Sequence, residues 1–513
     1  MDFSTKQVRL GWLVIGIALI AGLWLRGRNL TQHPFWLDEA YSAFAADNGY
    51  AFIWSILPSY ETHPPFYSAV LRSWSLMAGN SLDGYRSLGV VAGLLILPVI
   101  LMAGRELERG LDRKAWSIAI PALLFAATLP SLVDTARLVR PYYLLSLVNA
   151  CGVWSVLRLA RVRRETGTIE GRAWWVYLAS LALLFWLHNL GALYVAALGL
   201  GLLILIGPQE LLRDHWQRFL IGHALVAATA LPAFMILLDQ APAWAHSTWL
   251  RFDGTDLFGN VLLIFGLPGL FGLTAALLLG GATLIASGRN RAPIALLVMA
   301  GTPTLLALAL TLMIAPVFLP RTLVASGIPL ILMIAGGADR GLLVRVTFTM
   351  LLGLAFIRVI QVQQLPPEQD WYGAIRWLSP RLAHRDRVYA YPNEGALPLR
   401  YALRDLNRAA AIRQIPSEVP ARDPAGWYPT GSRGVQSLPA TRLQEIANDP
   451  VSRETPTIWL LRLGPAAYDK QDNFLNILKR NRAEVAHYTD RDIDIVGLRA
   501  RSPQPAPPKQ TEP

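Results

Sequence analysis

From Val8 to Val362 the chain alternates long apolar blocks with short charged connections, and after Gln363 the blocks cease. The clearest blocks are Leu10–Leu25, Val90–Met102, Trp174–Leu187, Leu193–Ile206, Phe258–Ile285, Leu296–Ile314 and Leu323–Ala335. A helix needs about 20 apolar residues to cross the hydrocarbon core of a bilayer, and many of these blocks approach that length. One soluble core is a poor alternative, because such cores stop growing beyond about 250–300 residues. The pattern predicts a polytopic α-helical membrane protein with about eleven transmembrane helices, up to thirteen if marginal runs cross. They fall near Val8–Arg26, Tyr85–Glu106, Ala115–Val133, Pro141–Leu159, Trp174–Leu187, Gly191–Ile206, Phe219–Leu238, Leu257–Ala286, Pro293–Phe318, Thr322–Ala338 and Leu342–Val362.

Beyond the last block the periodicities shorten. Glu368–Leu382 and Asp472–Arg482 read as amphipathic helices, and Ala396–Leu403 as a further one. Asp386–Tyr391 and Thr455–Leu463 read as strands, and Ala483–Leu498 as a hairpin. This alternation predicts a small C-terminal α/β domain. The domain reading is a transmembrane part over 1–363, an α/β domain over 364–500 and a Pro-rich disordered tail over 501–513. No internal repeat is evident.

Composition adds little, since 53% apolar residues is near the soluble average. Charge adds orientation. The chain carries +12, which in a soluble protein would raise nucleic acid as a partner. Here the arginines crowd short connections, as topogenic charges do, so no nucleic acid is expected. Arg158, Arg161, Arg163, Arg164 and Arg172 share one connection, and Arg109, Arg113 and Lys114 another. Arg289 with Arg291, and Arg340 with Arg345, mark two more. All four are expected to face the cytoplasm.

Residues 29–83 are acidic by contrast, so this long first loop is expected outside. Arg26 and Arg28 run against the rule. The short apolar run Phe66–Met77 contains Arg72 and is read as a helix lying at the interface. With the N-terminus inside, an odd helix count puts the C-terminal domain outside. The single cysteine, Cys151, excludes an intrachain disulfide and a multi-cysteine metal site.

Candidate chemistry gathers at the expected outer ends of the helices. Asp38 and Glu39 follow the first helix, and Glu61-Thr62-His63-Pro64-Pro65 follows further on. An acid pair in a loop is ordinarily a solvated or capping feature, but a carboxylate there also suits a general base toward an acceptor hydroxyl. Asp134 and Arg137, spaced i,i+3, can pair on one helix face. Arg140 and Tyr142 follow, His188 closes the helix after Trp174, and Arg321 opens the tenth helix. Each has a bland reading as a local ion pair, cap or interfacial anchor. Their shared side favours function, because ionisable groups at membrane depth are costly. Acids and arginines together suit transfer from a phosphate-linked donor, with arginines holding the departing phosphate.

Phe35-Trp36-Leu37-Asp38-Glu39-Ala40, then Thr62-His63-Pro64-Pro65-Phe66-Tyr67, then Tyr85-Arg86-Ser87-Leu88 resemble the GT-C class of polyprenyl-phosphate-sugar-dependent glycosyltransferases. The bacterial relatives of protein O-mannosyltransferases and of the lipid A aminoarabinose transferase are the nearest in pattern. Arg137 to Tyr142 is similar to that group's Ala-Arg-Pro-Tyr element, His188 to its histidine, and Arg321-Thr322-Leu323 to its Arg-Tyr-Leu element. Asp370-Trp371-Tyr372 and Asp386-Arg387-Val388 resemble the start of its outer domain. Many relatives carry Glu two residues before the arginine of the Ala-Arg-Pro-Tyr element. This chain has Leu138 there, with Asp134 one turn earlier.

The resemblance implies the GT-C fold with interfacial helices in the first loop, and Asp38 as catalytic base supported by Glu39. It implies a polyprenyl-phosphate sugar as donor. The expected phosphate ligands are Arg137, Arg140 and Arg321. The expected supporting residues are His63, Tyr67, Asp134, Tyr142 and His188. The expected reaction is inverting transfer to a hydroxyl of a protein, lipid or polysaccharide, at the outer side of a bacterial cytoplasmic membrane. No cofactor is called for. A divalent metal stays open, since Asp38, Glu39 and His63 are ligating types outside any standard motif. The rival readings are a flippase or transporter of a lipid-linked sugar, which would favour midplane charges and inverted repeats, and a non-catalytic scaffold.

Overall fold

The computed structural model describes residues 5–61, 63–247, 252–420, 438–469 and 471–501. The expected disordered tail lies outside the described residues from position 502 onward. Two compact units form. The first holds the residues up to Gln32 and Ser42–Leu365, and the second holds His33–Tyr41 and the residues from Pro366 onward.

The first unit is helical. Among the described residues eight helices are long and apolar enough to cross a membrane: Arg9–Gly27, Leu82–Gly110, Tyr142–Thr166, Trp216–Asp239, Gly269–Ser287, Ala292–Met313, Pro320–Gly337 and Leu342–Val362. Shorter apolar helices cover Ala119–Thr128, Arg172–Leu187, Gly191–Ile206 and Gly254–Phe265. This is a multi-span membrane protein. Its surface shows why. Ile20, Ile221, Met235, Ile285, Leu312 and Leu342 are all more than half exposed, an apolar exterior that water does not tolerate on this scale.

Small residues let the inner helices meet. A Cβ built on Gly89 would lie 2.3 Å from the Ala136 carbonyl oxygen, and one on Gly93 would lie 2.7 Å from the Ala136 Cβ. The helix Leu82–Gly110 therefore touches the segment before Arg137 backbone to backbone, the small-residue contact common in membranes. Gly89→Ala is expected to destabilise the fold by at least about 2 kcal/mol, an overpacking cost. Gly199→Ala, where no atom lies within 4 Å of the added Cβ, should leave stability unchanged or raised. Thermal unfolding of the two variants in detergent compares them directly.

Three helices break where an unbroken run was expected. The predicted helix Leu257–Ala286 splits into Leu257–Phe265 and Gly269–Ser287. Gly266 ends the first piece in the left-handed region at φ 62°, and Pro268 brings no backbone N–H to continue it. The predicted Ala115–Val133 becomes Ala119–Thr128 followed by Pro130–Thr135. Here the fully buried Arg26 donates to the Ala126 carbonyl at 3.1 Å and the Ala127 carbonyl at 3.0 Å. It satisfies acceptors left orphaned at the helix end. Arg26 runs against the topology rule because it is a buried donor to backbone and no solvated loop charge. The predicted Thr322–Ala338 opens as Pro320–Leu323, passes through a 3₁₀ turn at Val324–Ser326 and resumes at Gly327–Gly337.

The second unit contains a five-stranded sheet: β1 Arg387–Tyr391, β2 Ile412–Gln414, β3 Thr457–Leu463, β4 Arg482–Asp490 and β5 Ile493–Ala500. The order is β2-β1-β3-β5-β4, with β1 parallel to β2 and β3, and the last two pairings antiparallel. All seven residues of β3 are buried, as suits a central strand with both faces covered. Trp371, Ile375 and Leu403 pack on one face with Val388 and Leu461. Leu443, Phe474 and Leu478 pack on the other with Tyr389 and Leu460. The strand β2 was not legible in sequence: three residues without alternation exist as a strand only by pairing with β1.

Arg462 is buried against Asp494, donating from Nε at 2.7 Å, while His487 Nε2 lies 2.6 Å from the same carboxylate. Burial alone would push the Asp494 carboxyl up, but His487, Arg462 and Thr489 hold it below the ordinary carboxylate range. A depressed folded value means the stabilisation is complete above the unfolded value of about 3.9 and is lost as pH falls through the folded one. Acidification below about pH 4 should therefore weaken this domain. Asp494→Asn should flatten that pH dependence, as followed by near-ultraviolet circular dichroism of the full chain.

Candidate functional site

In the first unit, one end of the bundle brings together residues far apart in sequence. Arg140 is buried, its Nη1 donates to Ser42 Oγ at 3.4 Å, and its guanidinium lies 5.8 Å from the Tyr142 ring centre. His188 caps the end of Arg172–Leu187. Its ring sits 4.4 Å from that of His63 and 6.0 Å from that of Tyr142, centre to centre. Tyr67 and Tyr143 face each other with hydroxyls 3.3 Å apart. Arg321 is held in its turn by neighbours, since Tyr194 donates to the Thr322 carbonyl at 2.9 Å and Asn149 to the Ala325 carbonyl at 2.9 Å.

His188 carries the most information. The Leu190 N–H donates to its Nδ1 at 3.1 Å. In a neutral ring the proton then sits on Nε2. Burial holds the ring well below the ordinary imidazole range. The positive fields of His63, Arg140 and Arg321 push the same way, while Glu61 opposes. The Nε2–H is thus a buried donor, and it has no hydrogen-bond partner among the described residues.

Arg137 stands differently. Its guanidinium donates to the carbonyls of Leu25 at 3.4 Å, Arg28 at 2.7 Å and Asn29 at 3.3 Å, so it ties the end of the first helix. Asp134 sits in the fields of Arg137, Arg358 and Arg26. The expected i,i+3 pairing thus belongs to a wider charged group that includes two helices the sequence did not connect to it.

Asp38 and Glu39 occupy the first turn of the helix Leu37–Asp47, both buried. Within the second unit, Gln369 Oε1 accepts from the Leu37 N–H at 3.0 Å and from Trp371 Nε1 at 3.1 Å. That satisfies one of the free N–H groups of a helix start. Tyr41 donates to Glu394 at 3.1 Å, and the Phe35 ring meets Tyr401 edge-on at 5.3 Å. Both acids therefore begin a helix that the C-terminal domain holds. Among the described residues no group of three or more His, Cys, Asp or Glu side chains is placed to hold a metal ion.

No protein-family model matches the chain, and no curated protein matches it. Solved structures do. ArnT from Cupriavidus metallidurans in the apo state superposes with a TM-score of 0.59 at 15% identity, over 96% of this chain and 98% of that one. The chain has the GT-C fold. The same ArnT bound to undecaprenyl phosphate gives 0.56 at 15% identity over the same shares. The GT-C arabinofuranosyltransferase AftD from Mycobacteria gives 0.50 at 12% identity, over 98% of this chain and 40% of that one.

Several residues that make these contacts within each unit were not singled out from the sequence. Tyr143 directly follows Tyr142, and doubling of the aromatic was the available signal. Glu61, buried and two residues before His63, stood in the quoted Glu61–Pro65 motif but was given no role of its own. Gln369, Glu394 and Asn149 gave no signal, because each matters through a contact more than a hundred residues away.

Proposed function

We propose that this protein transfers a sugar from a polyprenyl-phosphate carrier to a hydroxyl acceptor, at the outer side of a bacterial cytoplasmic membrane. The observation that carries the reading is the buried His188 Nε2–H donor, without a hydrogen-bond partner among the described residues and acted on by the charges of Arg140 and Arg321 against that of Glu61. Such a place suits an anion, and a phosphate oxygen accepts from both guanidinium and imidazole. The GT-C fold supports the same reading, as does the undecaprenyl phosphate bound to ArnT.

In this reading Arg140, Arg321 and His188 hold the donor phosphate, while Arg137 positions the segment that carries Arg140. Tyr67, Tyr142 and His63 shape the surroundings. Asp38 is the base and Glu39 supports its helix turn. The acceptor oxygen bonds to the anomeric carbon as its proton passes to Asp38. The bond from that carbon to the phosphate oxygen breaks, and its electron pair leaves on the polyprenyl phosphate. Attack opposite the leaving group inverts the anomeric centre. The test is transfer in vitro by the purified full chain from candidate polyprenyl-phosphate sugars, with the product anomer read by NMR. Absence of transfer from every such donor, with donor binding absent too, would remove the proposal.

A further inference from the structure

At the other end of the first unit lies a second polar feature that the transfer reaction does not use. Arg86 and Gly110 are 24 residues apart on the helix Leu82–Gly110, about 36 Å at 1.5 Å per residue. Around Gly110 the ends of Leu82–Gly110, Tyr142–Thr166, Gly191–Ile206 and Ala292–Met313 enclose a cavity of about 330 Å³. Its wall is mixed in chemistry. Arg163, Arg164 and Arg291 line it together with the acids Glu106 and Glu210 and the apolar Leu157, Leu205 and Ile206.

Two acids share the lining, and one of them, Glu210, lies 3.7 Å from Arg163. Glu106 also lines the space, but it is engaged by Arg158 at 2.9 Å and Arg161 at 2.6 Å. Arg163 pairs with Asp214 at 3.0 Å, yet its Nε is buried with no hydrogen-bond partner among the described residues. Arg164 and Arg291 are exposed. Asn290 turns its amide to the Gly110 carbonyl at 2.8 Å and accepts from the Ala292 N–H at 2.9 Å. It thereby fixes the start of the helix that presents Arg291.

We propose that this arginine-lined cavity binds the phosphate headgroup of an anionic membrane phospholipid. Guanidinium forks match phosphate oxygens in pairs. Basic pockets between membrane helices at their charged ends recognise such headgroups. The volume falls in the range of small-ligand sites, about 300–1,000 Å³. The leucine and isoleucine in the lining favour a lipid over a free phosphate, since they offer contact to glycerol and acyl carbons that inorganic phosphate lacks.

The site is tested with the detergent-solubilised full chain by native mass spectrometry, titrating phosphatidylglycerol against phosphatidylcholine. The wild type is expected to prefer phosphatidylglycerol. The double variant Arg164→Ala/Arg291→Ala should bind it about twenty-five-fold more weakly, about fivefold for each arginine. Lys114→Ala, exposed at the same end and outside the cavity lining, should bind as the wild type does. An unchanged melting temperature in phosphatidylcholine micelles checks the fold. If the double variant fails that check, Arg291→Ala alone carries the test at about fivefold. Equal phosphatidylglycerol binding by variant and wild type would overturn the proposal. Inorganic phosphate displacing phosphatidylglycerol at equal concentration would overturn the lipid assignment.

Discussion

Asp38→Asn is expected to reduce turnover by about a thousandfold, within the range of about 10²–10⁴ that a positioned general base contributes. The amide keeps the size and much of the hydrogen bonding of the carboxylate, but it cannot take the acceptor proton. The first turn of Leu37–Asp47 remains held from Gln369 and Glu394. The melting temperature and donor binding should therefore stay near wild type. The measurement is single-turnover transfer from a polyprenyl-phosphate sugar, read by mass spectrometry. Turnover within tenfold of wild type would move the base to another residue.

Arg140→Ala is expected to lower turnover by about 10²–10³, the loss seen when one preorganised donor to a developing charge is removed. The bound donor is a phosphodiester with one negative charge, and the departing polyprenyl phosphate gains a second as the bond breaks. Arg140 therefore interacts more strongly with the transition state than with the ground state. Turnover should fall more than donor affinity does. Arg140→Lys keeps a charge but loses the planar fork, and should recover only part of the activity. A loss of donor affinity with turnover unchanged would instead assign Arg140 to ground-state binding alone.

Much of the fold was legible because the bilayer imposes a one-dimensional code. Runs such as Leu10–Leu25 and Leu342–Val362 need no partner to be read, since a lipid-crossing helix satisfies its own backbone. The breaks were harder. Gly266 and Pro268 are local signals and mark their break in retrospect, whereas the end of Ala119–Thr128 is completed by Arg26 from another helix. Site residues divide the same way. His188, Arg140 and Arg321 were chosen for type and expected side, and the charges of Arg140 and Arg321 act on the buried His188 ring. Arg137 was chosen on the same grounds, yet it is tied to the backbone of Leu25, Arg28 and Asn29.

The sequence by itself determined that this is a many-helix membrane protein with a small α/β domain, and which charged residues lie near helix ends. Those features follow from hydrophobic length and from the cost of charge in lipid, both local properties of the chain. Only the tertiary structure decided which donor was left over. Burial holds the His188 ring well below the ordinary imidazole range, and the Leu190 N–H occupies its Nδ1, which leaves Nε2 for the proton of a neutral ring. It likewise decided that the acids at Asp38 and Glu39 begin a helix held from Gln369 and Glu394. Contacts across such sequence distances depend on packing geometry, and no periodicity along the chain encodes them.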